Sequence, residues 1–226
     1  MKTIFKILSL ACLLSGVAFG QNDARDIGFF RFIQAVGPGE GKASLIIDGK
    51  DAFPDGYELG AMTGGVGIKA GAHTFESRKK GVDPGKTTVD LKSGETITII
   101  AFAEKLPPKK EGDPPRWSMR LLRLKQQDAE KSFKLTLVSV CQQEEVLVST
   151  TIESLKKQEK TGVKRLGISS VDLGRARGEV TLKLGAEPLT SVSLDEHGNY
   201  VVILYDDADG KVHAVSFLDP KFIIAG

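Results

Sequence analysis

The chain has little of what disulfide-stapled, metal-binding or hydrolytic proteins are built from. Its 226 residues include two cysteines, three histidines and one tryptophan. Cys12 lies in the apolar N-terminal stretch, which leaves Cys141 without an internal partner and excludes a disulfide framework. Cys141 sits in KLTLVSVC, an alternating run, and reads as a buried strand thiol, with intermolecular pairing or a reactive thiol as the alternatives. His73, His197 and His213 show no HExxH or Cys–His spacing, so neither a metal nor a cofactor is expected. No GxSxG elbow and no SxxK occurs. Carboxylate pairs such as Asp48 with Asp51, or Glu144 with Glu145, read as turn and surface charges. An enzyme is not expected. Beyond the N-terminus no apolar run approaches the ~18 residues of a membrane span.

What the N-terminus does contain is MKTIFKILSLACLLSGVAFG. Lys2 and Lys6 form a basic start, Ile7 to Val17 is apolar, and Ala18-Phe19-Gly20 is a small-x-small site. Residues 1–20 therefore read as a signal peptide, cleaved between Gly20 and Gln21, and a periplasmic location is expected. Acylation at Cys12 is the alternative, against which Ser9 stands where a lipoprotein signal wants leucine. Removing Lys2 and Lys6 leaves basic and acidic residues in balance, which gives no electrostatic footprint for nucleic acid.

The rest of the chain alternates short β-type runs with turns. DIGFFRFIQA (Asp26 to Ala35) and KASLIID (Lys42 to Asp48) read as strands around a Gly-Pro-Gly connection. Val66 to Arg78 reads as strand, turn at Ala70-Gly71, strand. TTVDLKSGETITIIAF (Thr87 to Phe102) then has a second copy, SVSLDEHGNYVVILY (Ser191 to Tyr205). Val89 and Leu91 match Val192 and Leu194. Gly94 is matched to Gly198 with one residue inserted, and Ile97 to Ile100 then match Val201 to Leu204. The inference is a duplicated β unit. Lys105 to Arg116, KLPPKKEGDPPR, carries four prolines and reads as a stiff linker, with the second half opening at Trp117. Ser149 to Gly162 breaks the pattern and reads as a short helix or helical turn. Val212 to Leu218 is a last strand without an evident partner in the first copy. The expected fold is all-β: two tandem Ig-like sandwiches, residues 25–104 and 116–226, joined by a proline-rich linker at 105–115.

Few residues suggest binding. The glycines of Gly60 to Gly67 lack the Lys-Ser/Thr end of a phosphate loop and read as a bend or bulge. Asp206, Asp207 and Asp209 with Gly210 lack the glutamate that closes a calcium loop and read as a solvated turn. Phe53 and Tyr57 flank the Pro54-Asp55-Gly56 turn, as loop anchors or as a recognition tip. Trp117 stands at the expected domain junction, as a plug between domains or as part of a binding surface. These three are the candidate partner-binding residues.

Taken together, a signal peptide, FxRFxxA, YELGAMTGGVGIKAGAHTF, LKSGETITIIA, a proline-rich stretch and MRLLRL resemble the periplasmic alginate O-acetylation adaptor family (AlgF-type), over roughly Phe29 to Asp206. The segment Ser149–Ser169 and the last strand depart from that pattern. The resemblance implies a non-catalytic adaptor whose partners are envelope proteins, such as an acetyltransferase complex, and the exopolysaccharide being modified. The alternative is a surface or pilus-associated structural subunit.

Overall fold

The computed structural model describes residues 26–113, 116–126 and 133–220. The expected signal peptide, its cleavage site and Cys12 lie outside the described residues. Every regular element among those residues is a strand, apart from short 3-10 turns such as Glu153–Leu155.

The first unit holds β1 (Ile27–Ala35), β2 (Glu40–Ile47), β3 (Lys50–Asp51), β4 (Val66–Lys69), β5 (Gly71–Lys80), β6 (Val82–Leu91), β7 (Thr96–Leu106) and β8 (Arg116–Lys125). Their order is β3-β2-β5-β6-β8-β7-β1-β4. β6 and β8 meet only at the pair Asp83 and Ser118, so the sheet divides into two four-stranded halves. Phe30 and Phe32 of β1, Leu45 of β2, Phe75 of β5, Leu91 of β6 and Ile99 of β7 bury together between the halves.

The second unit holds β9 (Phe133–Ser139), β10 (Glu145–Ile152), β11 (Lys157–Lys164), β12 (Ile168–Gly174), β13 (Gly178–Leu184), β14 (Glu187–Leu194), β15 (Asn199–Asp206) and β16 (Val212–Leu218). Its sheets run β11-β10-β13-β14 and β12-β9-β15-β16. This repeats the first unit strand for strand, down to the parallel pairing of β1 with β7 and of β9 with β15. The duplication expected from sequence is thus present as topology.

Several finer expectations are corrected. β7 pairs with β8 from Ile97–Lys125 to Leu106–Arg116. The proline-rich stretch therefore connects two strands of one sheet and is not a linker between domains. Trp117 belongs to the first unit, and the chain passes to the second after β8. β8 is also the counterpart that the last strand, β16, lacked in the sequence reading. The wiring differs from an immunoglobulin sandwich, in which strands 1-2-5-4 face 3-6-7. Here 3-2-5-6 faces 4-1-7-8. One cause is local: β5 and β6 are separated by Gly81 alone, at φ +83°, and a turn that tight forces adjacent strands into one sheet. Of the short helix or helical turn expected within Ser149–Gly162, only a 3-10 turn at Glu153–Leu155 is present, at the tip of a hairpin. β10 and β11 pair from Glu145–Lys164 to Ile152–Lys157, and Lys156 makes the turn at φ +48°. Tertiary pairing overrides the helix propensity of the Lys/Glu-rich segment, which forms an edge strand whose lysines discourage further pairing.

The two units pack face to face. Ile33, Ile100, Phe102 and Leu124 of the first share a buried cluster with Val138, Val201, Ile203 and Phe217 of the second. Hence β7 and β15 are covered on both faces. Their sequences are near-continuous apolar runs, where a half-exposed strand would alternate.

Candidate functional site

A cleft of about 240 Å³ opens at one end of this seam, walled by Trp117 and Pro38 of the first unit and by Gln142, Gln143, Asp206 and Asp207 of the second. Junctions between units are common places for ligand sites.

Strand ends and turns build it. Trp117 is the second residue of β8, paired with Lys105, and packs partly against the first unit's core. Asp206 closes β15. Its Oδ2 accepts the Gln142 backbone N–H at 2.5 Å, and the Gln142 side-chain amide donates to the Ala103 carbonyl of the first unit at 2.6 Å. The other carboxylate oxygen of Asp206 is buried, and the Cys141 thiol hydrogen-bonds this carboxylate. Asp207 Oδ1 accepts the N–H groups of Asp209 and Lys211, both at 2.9 Å, and its Oδ2 lies 2.7 Å from His213 Nε2. The His213 bond, with those two N–H groups, holds the Asp207 carboxyl below the usual carboxylate range. Gly37 lets the units approach, because a Cβ there would stand 2.4 Å from the Asp206 carbonyl oxygen. Lys79, buried behind the same loop, donates to the carbonyls of Val36 at 2.7 Å and Gly37 at 3.2 Å. Burial pushes its pKa down, against the pull of Glu58.

Cys141 lies beneath the cleft, fully buried. Burial first, and then the charge of Asp206, push its thiol up to about 12. A thiol held protonated is a poor nucleophile. The expected burial is present, but Cys141 lies in the bend after β9 and not in a strand. The acidic run at Asp206–Gly210 is organised as a closed β15–β16 turn around Asp207. Among the described residues no group of three or more His, Cys, Asp or Glu side chains is placed to hold a metal ion.

Of the three sequence candidates only Trp117 lines the cleft. Tyr57 is 8 % exposed and packs against Phe32 and Phe53, at ring separations of 5.0 and 5.3 Å. Its backbone exchanges hydrogen bonds with Ala43. Burial pushes its phenol up to about 12. Tyr57, and the partly buried Phe53 beside it, pack their loop against the first unit's core. The glycine-rich stretch Gly60–Gly67 runs beside β1, with Ala61 and Thr63 bonded to Gln34 and Phe32, and continues into β4 as a bulged strand. Gln142, Gln143 and Pro38 carry no motif, and their convergence with Trp117 follows from the packing of the units.

No protein-family model matches the chain, and no curated protein matches it either.

Proposed function

We propose that the protein is a non-catalytic binding or adaptor protein of the cell envelope, which holds its partners in fixed geometry. The observation that carries this reading is the buried core shared by the two units. Interfaces between domains of one chain are ordinarily polar and allow relative motion, whereas a large apolar seam makes a rigid platform. Two outward-facing sheets and a cleft at the seam are then presented at set distances. The export pattern of residues 1–20 supports an extracytoplasmic, periplasmic setting. The resemblance to the alginate O-acetylation adaptors supports a specific form, in which the protein assists O-acetylation of an exopolysaccharide alongside an acetyltransferase complex.

The test is affinity capture from envelope extract with the tagged protein as bait. Recovery of an acetyltransferase or a polysaccharide-assembly component is expected, and recovery of neither sinks the specific form. The alternative, a surface or pilus-associated subunit, needs sheet edges open to strand addition. β11 carries Lys157, Lys160 and Lys164, and β14 carries Pro188, which oppose such pairing. Light scattering that shows a monomer separates the two readings.

A further inference from the structure

The seam cleft has a chemical bias that its architecture does not require. Its walls include two carboxylates, Asp206 and Asp207, and no lysine or arginine. Asp207 is hydrogen-bonded to His213. Asp206 takes a backbone N–H on one oxygen, and the Cys141 thiol also hydrogen-bonds this carboxylate, but among the described residues no cation pairs with it. Two basic side chains of the surrounding network are otherwise committed. Lys79 is held by the carbonyls of Val36 and Gly37. Arg165 donates to the Cys141 carbonyl at 3.1 Å and faces Glu104 at 3.9 Å. A carboxylate that lines a cleft with no cation beside it favours a positive ligand there.

The other wall suits the same occupant. The face of an indole attracts an ammonium or guanidinium group through its quadrupole, and the effect grows as water is excluded. The side-chain oxygens of Gln142 and Gln143 add acceptors at the mouth. Drug-sized ligands occupy roughly 300–1,000 Å³, so a cleft of about 240 Å³ takes one basic side chain or a small amine rather than a folded element. The field around Cys141 agrees, since the negative charge of Asp206 adds to burial in keeping that thiol protonated.

We propose that this cleft binds an alkylammonium or guanidinium cation, held between the Trp117 ring and the Asp206 carboxylate. The site stands on the geometry of the cleft and goes beyond the adaptor reading. A failed capture experiment leaves it intact, and its own failure leaves the adaptor reading intact.

Trp117 is the chain's single tryptophan, so intrinsic fluorescence of the whole protein reports on the cleft directly. The titrants are Nα-acetyl-lysine amide, Nα-acetyl-arginine amide and putrescine, with Nα-acetyl-norleucine amide as the uncharged isostere and maltotriose as a neutral glycan. Isothermal titration calorimetry runs in parallel. Saturable responses to the cations and none to norleucine amide are expected. Tighter binding of the amino-acid amides points to a side chain of a partner protein, and tighter binding of putrescine to a free polyamine. Asp206→Asn keeps an acceptor for the Gln142 N–H and is expected to weaken binding at least tenfold. Gln143→Lys, at an exposed position, places a cation at the mouth without touching the core and is expected to do the same. Equal responses to norleucine amide, a response to maltotriose in place of the cations, or silence in both fluorescence and heat would each overturn the proposal.

Discussion

Arg31 and Asp219 are 188 residues apart in the chain and meet across the seam at 3.2 Å, with side chains 5 % and 4 % exposed. The Arg31 guanidinium also lies 4.1 Å over the Phe217 ring and reaches Thr98 Oγ1 at 3.4 Å, and the Gln126 amide donates to Asp219 at 3.3 Å. By strand register, Arg31 stands where the second unit has Thr136. The pair therefore breaks the symmetry of two otherwise similar faces. Removing one partner of a buried pair costs about 3–5 kcal/mol, because a charge is left stranded, whereas replacing both with apolar groups can be neutral. Arg31→Met is expected to lose stability in that range in urea unfolding, and adding Asp219→Leu is expected to recover most of it. Burial outweighs Arg31 in setting the Asp219 carboxyl above its ordinary value. In the window above the unfolded value, the folded state retains a proton there that the unfolded state has released. Stability from this site falls as pH climbs through that window.

The seam has a second consequence. Ile100 is fully buried in the cluster shared by both units. Calorimetry is expected to show one cooperative transition for the whole protein, because neither unit can expose that face cheaply. Ile100→Ala is expected to lower that single transition, at a cost of about 3 kcal/mol. Two transitions, only one of which moves with the substitution, would mean that the units are thermodynamically independent.

His73 supplies a pH dependence of the opposite kind. Its Nδ1 lies 2.7 Å from Asp48 Oδ2 and its Nε2 lies 2.6 Å from the Lys69 carbonyl. Both partners accept, so only the doubly protonated ring satisfies both. Burial alone would lower the pKa of His73, but these two bonds outweigh it and the net shift is upward. Its contribution is therefore whole below about pH 6.5, the unfolded value, and is lost as pH rises through the raised folded value. His73→Gln is expected to cost about 1 kcal/mol at pH 6, given the exposure of Asp48, and progressively less at higher pH. Unfolding midpoints measured from pH 5 to pH 9 check this, and parallel curves for the two proteins would refute it.

Much of this architecture was legible because the repeat is written in the strands that are buried on both faces. ITIIAF and YVVILY stand out since a doubly covered strand tolerates no polar alternation. The alignment drawn through them slipped by one residue. It matched Gly94 to Gly198, whereas Gly94 alone adopts positive φ. By strand register Ile97 corresponds to Tyr200 and Ile100 to Ile203, with no insertion. A one-residue slip exchanges the two faces of a strand, and so hid which residues face the partner unit. The cleft was not legible, because it forms where two turns meet and only packing brings them together. The domain boundary was misplaced because proline-rich composition reads alike in a linker and in the tip of a long hairpin.

Tyr57 separates a structural anchor from a recognition residue. Its hydroxyl is buried with no hydrogen-bond partner, while its ring packs on Phe32 and Phe53. Removing an unsatisfied buried hydroxyl leaves the apolar packing and relieves a desolvation cost of about 1–3 kcal/mol. Tyr57→Phe is expected to leave stability unchanged or raise it by about 1 kcal/mol. Tyr57→Ala is expected to lose about 3–5 kcal/mol, by the precedent of large core truncations. A loss in the phenylalanine variant would show that the hydroxyl makes a bond in solution.

The proline-rich stretch yields the sharpest test of the corrected boundary. β7 and β8 are register partners up to Leu106–Arg116, so the residues between need only close a hairpin. Residues 107–113 are exposed along their whole length. Replacing 107–115 with a two-residue Asn-Gly turn suits the twist of paired antiparallel strands. Shortening a loop also lowers its closure entropy, by only ~0.6 kcal/mol for each halving. The shortened protein is expected to fold with stability within about 1 kcal/mol of the parent and to keep its single transition. A true linker of that length, cut to two residues, would pull the units out of contact, and the shared core around Ile100 and Ile203 would open to solvent. Binding of a hydrophobic dye to the shortened variant, or a split transition, is the result that would restore the boundary at 105–115.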